Sequence, residues 1–255
     1  MSQKKITIIL QARTGSKRFP RKVLAKIEKQ PMIWHVINRV KATKKIQQVV
    51  LTTTKKKEDR ILLKIAKENK IHSFTGKTND VLNRYYQCAL LFNADPIIRI
   101  TADCPLIDAK IIEKILDFYT NHKYDYVTNI IDRSFPEGLD VEIFSFDTLK
   151  KANQYAKLKS EREHVTPYIK NNPQKFKLFN MKNELNFSEL RWSVDYKKDL
   201  KFVRKIYSEL KPKKNFFMRD ILKIISKNPD IIKINTPFNK KQDYFDLIKN
   251  IKIKF

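Results

Sequence analysis

Glycine is nearly absent from this chain: three in 255 residues, at Gly15, Gly76 and Gly138. That scarcity excludes a collagenous repeat, a Gly/Ser linker and a G-x-G-x-x-G dinucleotide fingerprint. Only two cysteines occur, Cys88 and Cys104, without metal-type spacing, which excludes a disulfide scaffold and a cysteine-rich zinc site. No apolar run approaches the roughly 18 residues that span a bilayer, and the short run near the amino terminus cannot serve as a secretory h-region. These absences point to a reduced, soluble, cytoplasmic protein. Acids are scarce as well, 27 against 54 basic residues, leaving a net charge of +27.

Such an excess invites a nucleic-acid reading. Yet only 12 of the cations are arginine, and the lysines are scattered, with short clusters at Lys55–Lys57 and Lys211–Lys214. The matching richness in Ile, Asn, Phe and Tyr is what an A/T-rich coding sequence writes. Solvated surface lysine accounts for most of the charge, and a positive field also suits small anionic substrates such as nucleotides. With 42% hydrophobic residues the chain can bury a core, and its length suits one α/β domain better than two.

Short apolar runs at 6–10, 49–52, 71–74 and 97–101 read as buried strands. Between them, helical spacing covers 31–40, 58–68, 79–92 and 108–121, with Asn79 or Asp80 as an N-cap. Further strands are expected at 124–129, 139–144, 176–181 and 190–195, and helices at 147–155, 162–170 and 198–210. Residues 211–255 form a lysine-rich tail with helical spacing at Met218, Ile221, Leu222 and Ile225. Strands alternating with helices imply a mostly parallel sheet covered on both faces, with ligands beyond the carboxyl ends of the strands. Those ends carry Gln11-Ala12-Arg13, Thr52-Thr53-Thr54 and Thr101-Ala102-Asp103.

The segment from Gln11 to Lys22 is the densest in chemistry, with five cations, Gly15 and Ser16 directly after a strand. Gly15 allows positive φ and a turn of N–H groups toward an anion, Ser16 adds a donor, and Arg13, Arg18 and Lys22 can reach phosphate oxygens. The alternative is an ordinary basic turn. Asp103 is placed either to hold Mg²⁺ beside phosphates or to cap the turn before Pro105. Asp195 is a second strand-end acid of the same kind. Glu137, Asp140 and Glu142 surround Gly138, as ligand-facing acids or as a hairpin turn. Ser160 with Glu163 matches a capping box, leaving Arg162 and His164 as ligand-binding or structural residues. Cys104 reads as a packed small residue.

Taken together, IILQARTGSKRFPRKVL, FTGKTNDVLNRYYQCA, IIRITADCPLID, FPEGLDVEIF, REHVTPYI and RWSVD resemble the cytidylyltransferase family. The nearest branch is that of spore coat polysaccharide biosynthesis protein F, related to the acylneuraminate and 3-deoxy-manno-octulosonate cytidylyltransferases. The likeness runs from about residue 5 to 210 and leaves the tail uncovered. It implies a three-layer, Rossmann-type sandwich of the nucleotide-diphospho-sugar transferase kind, while the chain's length and the lack of a sharp boundary point to a single domain over 1–255. It implies transfer of CMP from CTP to a sugar acid or related acceptor for surface polysaccharide, with release of pyrophosphate.

In that frame the nucleotide meets Gln11, Ala12, Arg13, Gly15, Ser16, Arg18, Lys22, Thr52, Thr101, Ala102 and Asp103, with Asp80 and Arg84 near the nucleoside. Arg13, Lys22 and Asp103 are the catalytic candidates, and Asp103 and Asp195 the Mg²⁺ ligands. Residues 124–195 form the acceptor-binding and dimer-forming half, with Glu137, Asp140, Glu142, Arg162 and His164 toward the acceptor. One position departs from the family pattern: Arg21 stands where many members carry glycine. Two rivals remain. A glycosyltransferase would want a D-x-D motif, where Thr101-Ala102-Asp103 offers one acid. An RNA-binding protein would want aromatics interleaved with its basic residues.

Overall fold

A computed structural model describes residues 3–213, 215–236, 247–249 and 251. The strands are β1 (Lys5–Gln11), β2 (Lys26–Ile27), β3 (Gln30–Pro31), β4 (Gln48–Thr54), β5 (His72–Gly76), β6 (Ala94–Thr101), β7 (Tyr126–Thr128), β8 (Glu142–Phe144) and β9 (Leu178–Asn180). The helices are α1 (Met32–Lys41), α2 (Arg60–Glu68), α3 (Val81–Leu91), α4 (Ala109–Asn121), α5 (Phe146–Tyr155), α6 (Lys159–His164), α7 (Pro167–Lys170), α8 (Lys197–Glu209) and α9 (Met218–Lys227).

Among the described residues, seven strands make one sheet in the order β5-β4-β1-β6-β8-β7-β9, while β2 and β3 pair as a separate small hairpin. Within the large sheet β8 alone runs antiparallel to its neighbours β6 and β7. The two-residue side-chain period explains the layers. On β1, Ile8 and Leu10 enter the core shared with α1, α2, α4, α8 and α9, whereas Ile9 enters the core shared with α3 and α5. The expected three-layer α/β sandwich is the observed fold.

From β1 the chain moves outward to β4 and β5, then returns across β1 to β6. Gln11 and Thr101 therefore end adjacent parallel strands, opposite one another in register, where the strand order reverses. Such a switch point opens a crevice beyond the strand ends. It is bounded here by the two segments richest in chemistry.

The tail is not an appendage. Ile221, Leu222 and Ile225 of α9, together with Ile231, Ile232, Leu247, Ile248 and Ile251, join the main core. An amphipathic stripe buries its apolar face whatever the lysine content opposite. Three local expectations fail. Residues 190–195 form no strand; they are extended, with a single bridge from Arg191 to Glu137, and Val194 donates to the Asp103 carbonyl (2.8 Å) rather than to a ladder. The helix over 162–170 is split into α6 and α7 by Val165, at φ 73 and ψ −55. Its cap is also shifted: Glu161, not Glu163, accepts from the backbone N–H groups of Lys157 and Leu158.

Glu142 is 2% exposed and paired with Arg99 across the β6–β8 register. It also accepts from Tyr126 Oη (2.6 Å) and Thr166 Oγ1 (2.5 Å). It therefore faces no acceptor. Burial alone would raise its pKa, but Arg99, Lys170 and the hydroxyl donors Thr166 and Tyr126 together hold it below the usual glutamate value. Removing the charge strands a buried guanidinium, so Glu142→Gln should destabilise the fold by about 3 kcal/mol in urea unfolding. A loss below about 1 kcal/mol would contradict this account.

Candidate active site

The loop after β1 is anchored from below. Asp59, 1% exposed, accepts from the Thr14 amide and Thr14 Oγ1, both at 2.7 Å, and from Thr54 Oγ1. The loop closes where the Arg21 amide donates to the Thr14 carbonyl (2.9 Å). Arg21 sits at φ 57 and ψ 24, the left-handed region that favours glycine. The positive φ is thus at Arg21 and not at Gly15, which is exposed and has open space around it.

Lys22 follows directly and turns inward. Its Nζ donates to Asp103 Oδ2 (2.8 Å), Asp195 Oδ1 (2.9 Å) and the Val194 carbonyl (2.8 Å). One ammonium thus ties together residues 81 and 173 positions away in the chain. Burial would lower the lysine and raise both acids. The opposite charges win, leaving Lys22 above and Asp103 and Asp195 below their ordinary values.

Asp195 is held from its far side. Arg191 contacts Asp195 Oδ2 (2.7 Å), Glu137 Oε2 (2.8 Å) and Asp199 Oδ1 (3.4 Å), while Arg18 reaches Asp195 Oδ1 at 2.7 Å. Asp199 Oδ2 accepts from the amides of Asp195 and Tyr196, and Asn235, from the tail, braces the Arg191 carbonyl (2.7 Å). Gly138, at φ 107, lies against this segment; a Cβ there would stand 2.6 Å from the Ser193 nitrogen. The close approach explains why glycine occurs between Glu137 and Asp140.

Lys22, Asp103 and Asp195 border a cavity of about 490 Å³ at the switch point. Gln11, Ala12, Arg13, Ser16, Arg18, Lys22, Thr101, Ala102, Asp103, His164 and Asp195 all line it, as expected. Lys17, Val23 and Glu163 also line it and were missed. Lys17 was legible as one more loop cation, whereas Glu163 was absorbed into a capping pattern that belongs to Glu161.

Other candidates lie elsewhere. Thr52 is fully buried in the sheet and serves through its carbonyl, which accepts from the Ala12 amide. Arg84 is 1% exposed and donates to the Lys77 carbonyl. Asp80 caps α3 and pairs with Arg162 through two bonds of 2.9 and 2.8 Å, beside a separate recess bordered by Lys55, Lys56 and Lys77. Arg162 is thereby occupied, as is Asp140 by Arg133, and Glu137 is bonded to Arg191 and Ser193. Of the five expected acceptor residues, only His164 faces the cavity. Burial raises the Cys104 thiol well above its usual value, in keeping with packing.

Residues 7–236 match the sequence model of a family described as cytidylyltransferase. The chain belongs to the cytidylyltransferase family. The match extends past residue 210 into α9 and the segment after it, consistent with their place in the core. A solved cytidylyltransferase from Leptospira borgpetersenii is 35% identical, covers 93% of this chain and all of that one, and superposes with a TM-score of 0.88. An uncharacterized protein of Methanocaldococcus jannaschii is 37% identical over 93% of this chain and 97% of its own length. The spore coat polysaccharide biosynthesis protein SpsF of Bacillus subtilis is 25% identical over 88% and 95%. As a member of this family the protein belongs among the nucleotidyltransferases.

The charge cluster sets a pH dependence. The depressed aspartates stabilise the fold above their unfolded pKa and lose that contribution as pH falls through the folded value. The raised lysine contributes below its unfolded pKa and loses it as pH rises through the folded one. The cluster therefore stabilises between roughly pH 4 and pH 10. In Lys22→Met, burial is no longer opposed by the ammonium, and Asp103 shifts upward. That variant should lose about 2 kcal/mol at pH 7, less than a fully buried pair because Asp103 remains 30% exposed. The deficit should shrink toward pH 5. A deficit of equal size at both pH values in urea unfolding would contradict the cluster's role.

Proposed function

We propose that the protein transfers CMP from CTP to a small acceptor, with a sugar acid or a relative of one as substrate and a surface polysaccharide as the destination. The observation that carries this reading is the switch-point cavity, where Arg13, Lys17, Arg18 and Lys22 meet the acid pair Asp103 and Asp195. The destination is supported by the likeness to SpsF. A homodimer through residues 124–195 and a cytoplasmic setting belong to the same reading, supported by the resemblance and composition.

The residues fit a Mg²⁺ ion. Two hard carboxylates already converge on one cation, the Lys22 ammonium, and Gln11 Oε1 is buried without a partner at the same cavity. Asp103 and Asp195 would hold the ion, which when bound neutralises triphosphate charge and acidifies the acceptor hydroxyl.

Arg13, Lys17 and Arg18 bind phosphate oxygens, and Lys22 exchanges its carboxylates for the reacting phosphates. The acceptor oxygen forms a bond to the α-phosphorus, the α–β anhydride bond breaks, pyrophosphate leaves and the acceptor's proton passes to solvent. Positioning and charge neutralisation suffice, with no covalent intermediate on the protein. CTP with Mg²⁺ at a hundred times its Kd should stabilise the protein by about 2.7 kcal/mol, seen as a raised melting temperature, with ATP and GTP giving far less. An equal response to all of them would overturn the choice of cytidine.

A further inference from the structure

The acceptor half spends its arginines on internal carboxylates. Arg133 clamps Asp140, Arg162 clamps Asp80, and Arg191 is shared among Glu137, Asp195 and Asp199. Arg99 lies beneath, paired with Glu142. Glu163 is the reverse case. It lines the cavity and has no hydrogen bond or ion pair among the described residues.

Its placement is enforced. Thr166 donates its amide to the His164 carbonyl (2.9 Å) across Val165, whose φ 73 and ψ −55 make the strained form of a γ-turn. Val165 is a β-branched residue that disfavours positive φ, yet it is fully buried and fixed, with Thr166 Oγ1 bonded to the buried Glu142. Strain of this kind persists where surroundings over-determine it, commonly beside ligands. Here the strained turn directly follows the pair Glu163 and His164 at the cavity.

The charges around the cavity then divide by role. Arg13, Lys17, Arg18 and Lys22 suit the triphosphate. Glu163, whose carboxylate has no partner among the described residues, is complementary to a cationic group carried by the ligand. We propose that Glu163 binds a protonated primary amine on the acceptor, and so selects an amino sugar over its hydroxyl counterpart. This inference rests on the cytidylyltransferase reading above.

The test is pyrophosphate release from CTP with matched pairs: glucosamine against glucose, and 8-amino-3,8-dideoxy-manno-octulosonate against 3-deoxy-manno-octulosonate. The amine member of a pair should be preferred by about tenfold or more in kcat/KM, the worth of one hydrogen bond to a charged group. Glu163→Gln should erase the preference through KM, with kcat for the amine much less affected and the CTP melting shift retained. Equal use of both members, a preference that survives in Glu163→Gln, or no turnover of either amine by a protein that CTP stabilises, would each overturn the proposal. A protein that CTP fails to stabilise would overturn the nucleotide reading as well.

Discussion

The Lys22 ammonium is the interaction on which the site depends. It draws Asp103, at the end of β6, and Asp195, from an extended segment before α8, onto a residue of the loop after β1. Without a cation between them, two partly buried carboxylates would repel each other. Everything nearby serves to hold that meeting point. Asp59 fixes the loop at Thr14, Arg191 and Asp199 fix the far side of Asp195, and Gly138 lets a neighbouring loop press against the backbone at Ser193. Asn235 ties in the chain after α9, a stretch whose apolar residues are buried in the core.

Much of this was legible in the sequence, and the limits have physical causes. Strands β1, β4 and β6 announce themselves as apolar runs because interior parallel strands are buried on both faces, whereas β5 lies at the sheet edge. Their polar ends identify the crevice, so Arg13, Lys22 and Asp103 could be placed together without coordinates. The extended stretch around Asp195 resembles a strand in sequence because it is buried, but its partners are loops, and periodicity does not distinguish the two. Glu142 and Arg162 carry the charge of ligand-binding residues, yet each is neutralised by a residue distant in sequence, Arg99 and Asp80. Such pairings are invisible before the chain is folded. Gly15 illustrates a related limit: the loop does need a left-handed residue, but Arg21 occupies that position.

The distribution of charge matters more than its total. Most lysines are solvated, whereas the arginines of the acceptor half are committed to carboxylates that brace loops. Fixed pairs leave the cavity with a few uncommitted groups, cationic along the β1 loop and anionic at Glu163. A site whose internal charges are already matched is pre-organised, which is what in-line phosphoryl transfer requires of a protein.

The most direct test is a crystal structure of the protein with CTP and Mg²⁺. The account predicts the triphosphate along the loop from Gln11 to Lys22, with Lys22 Nζ moved from Asp103 and Asp195 onto a phosphate oxygen. A nucleotide bound instead over Lys55, Lys56 and Lys77, with Lys22 still bridging the two aspartates, would contradict it.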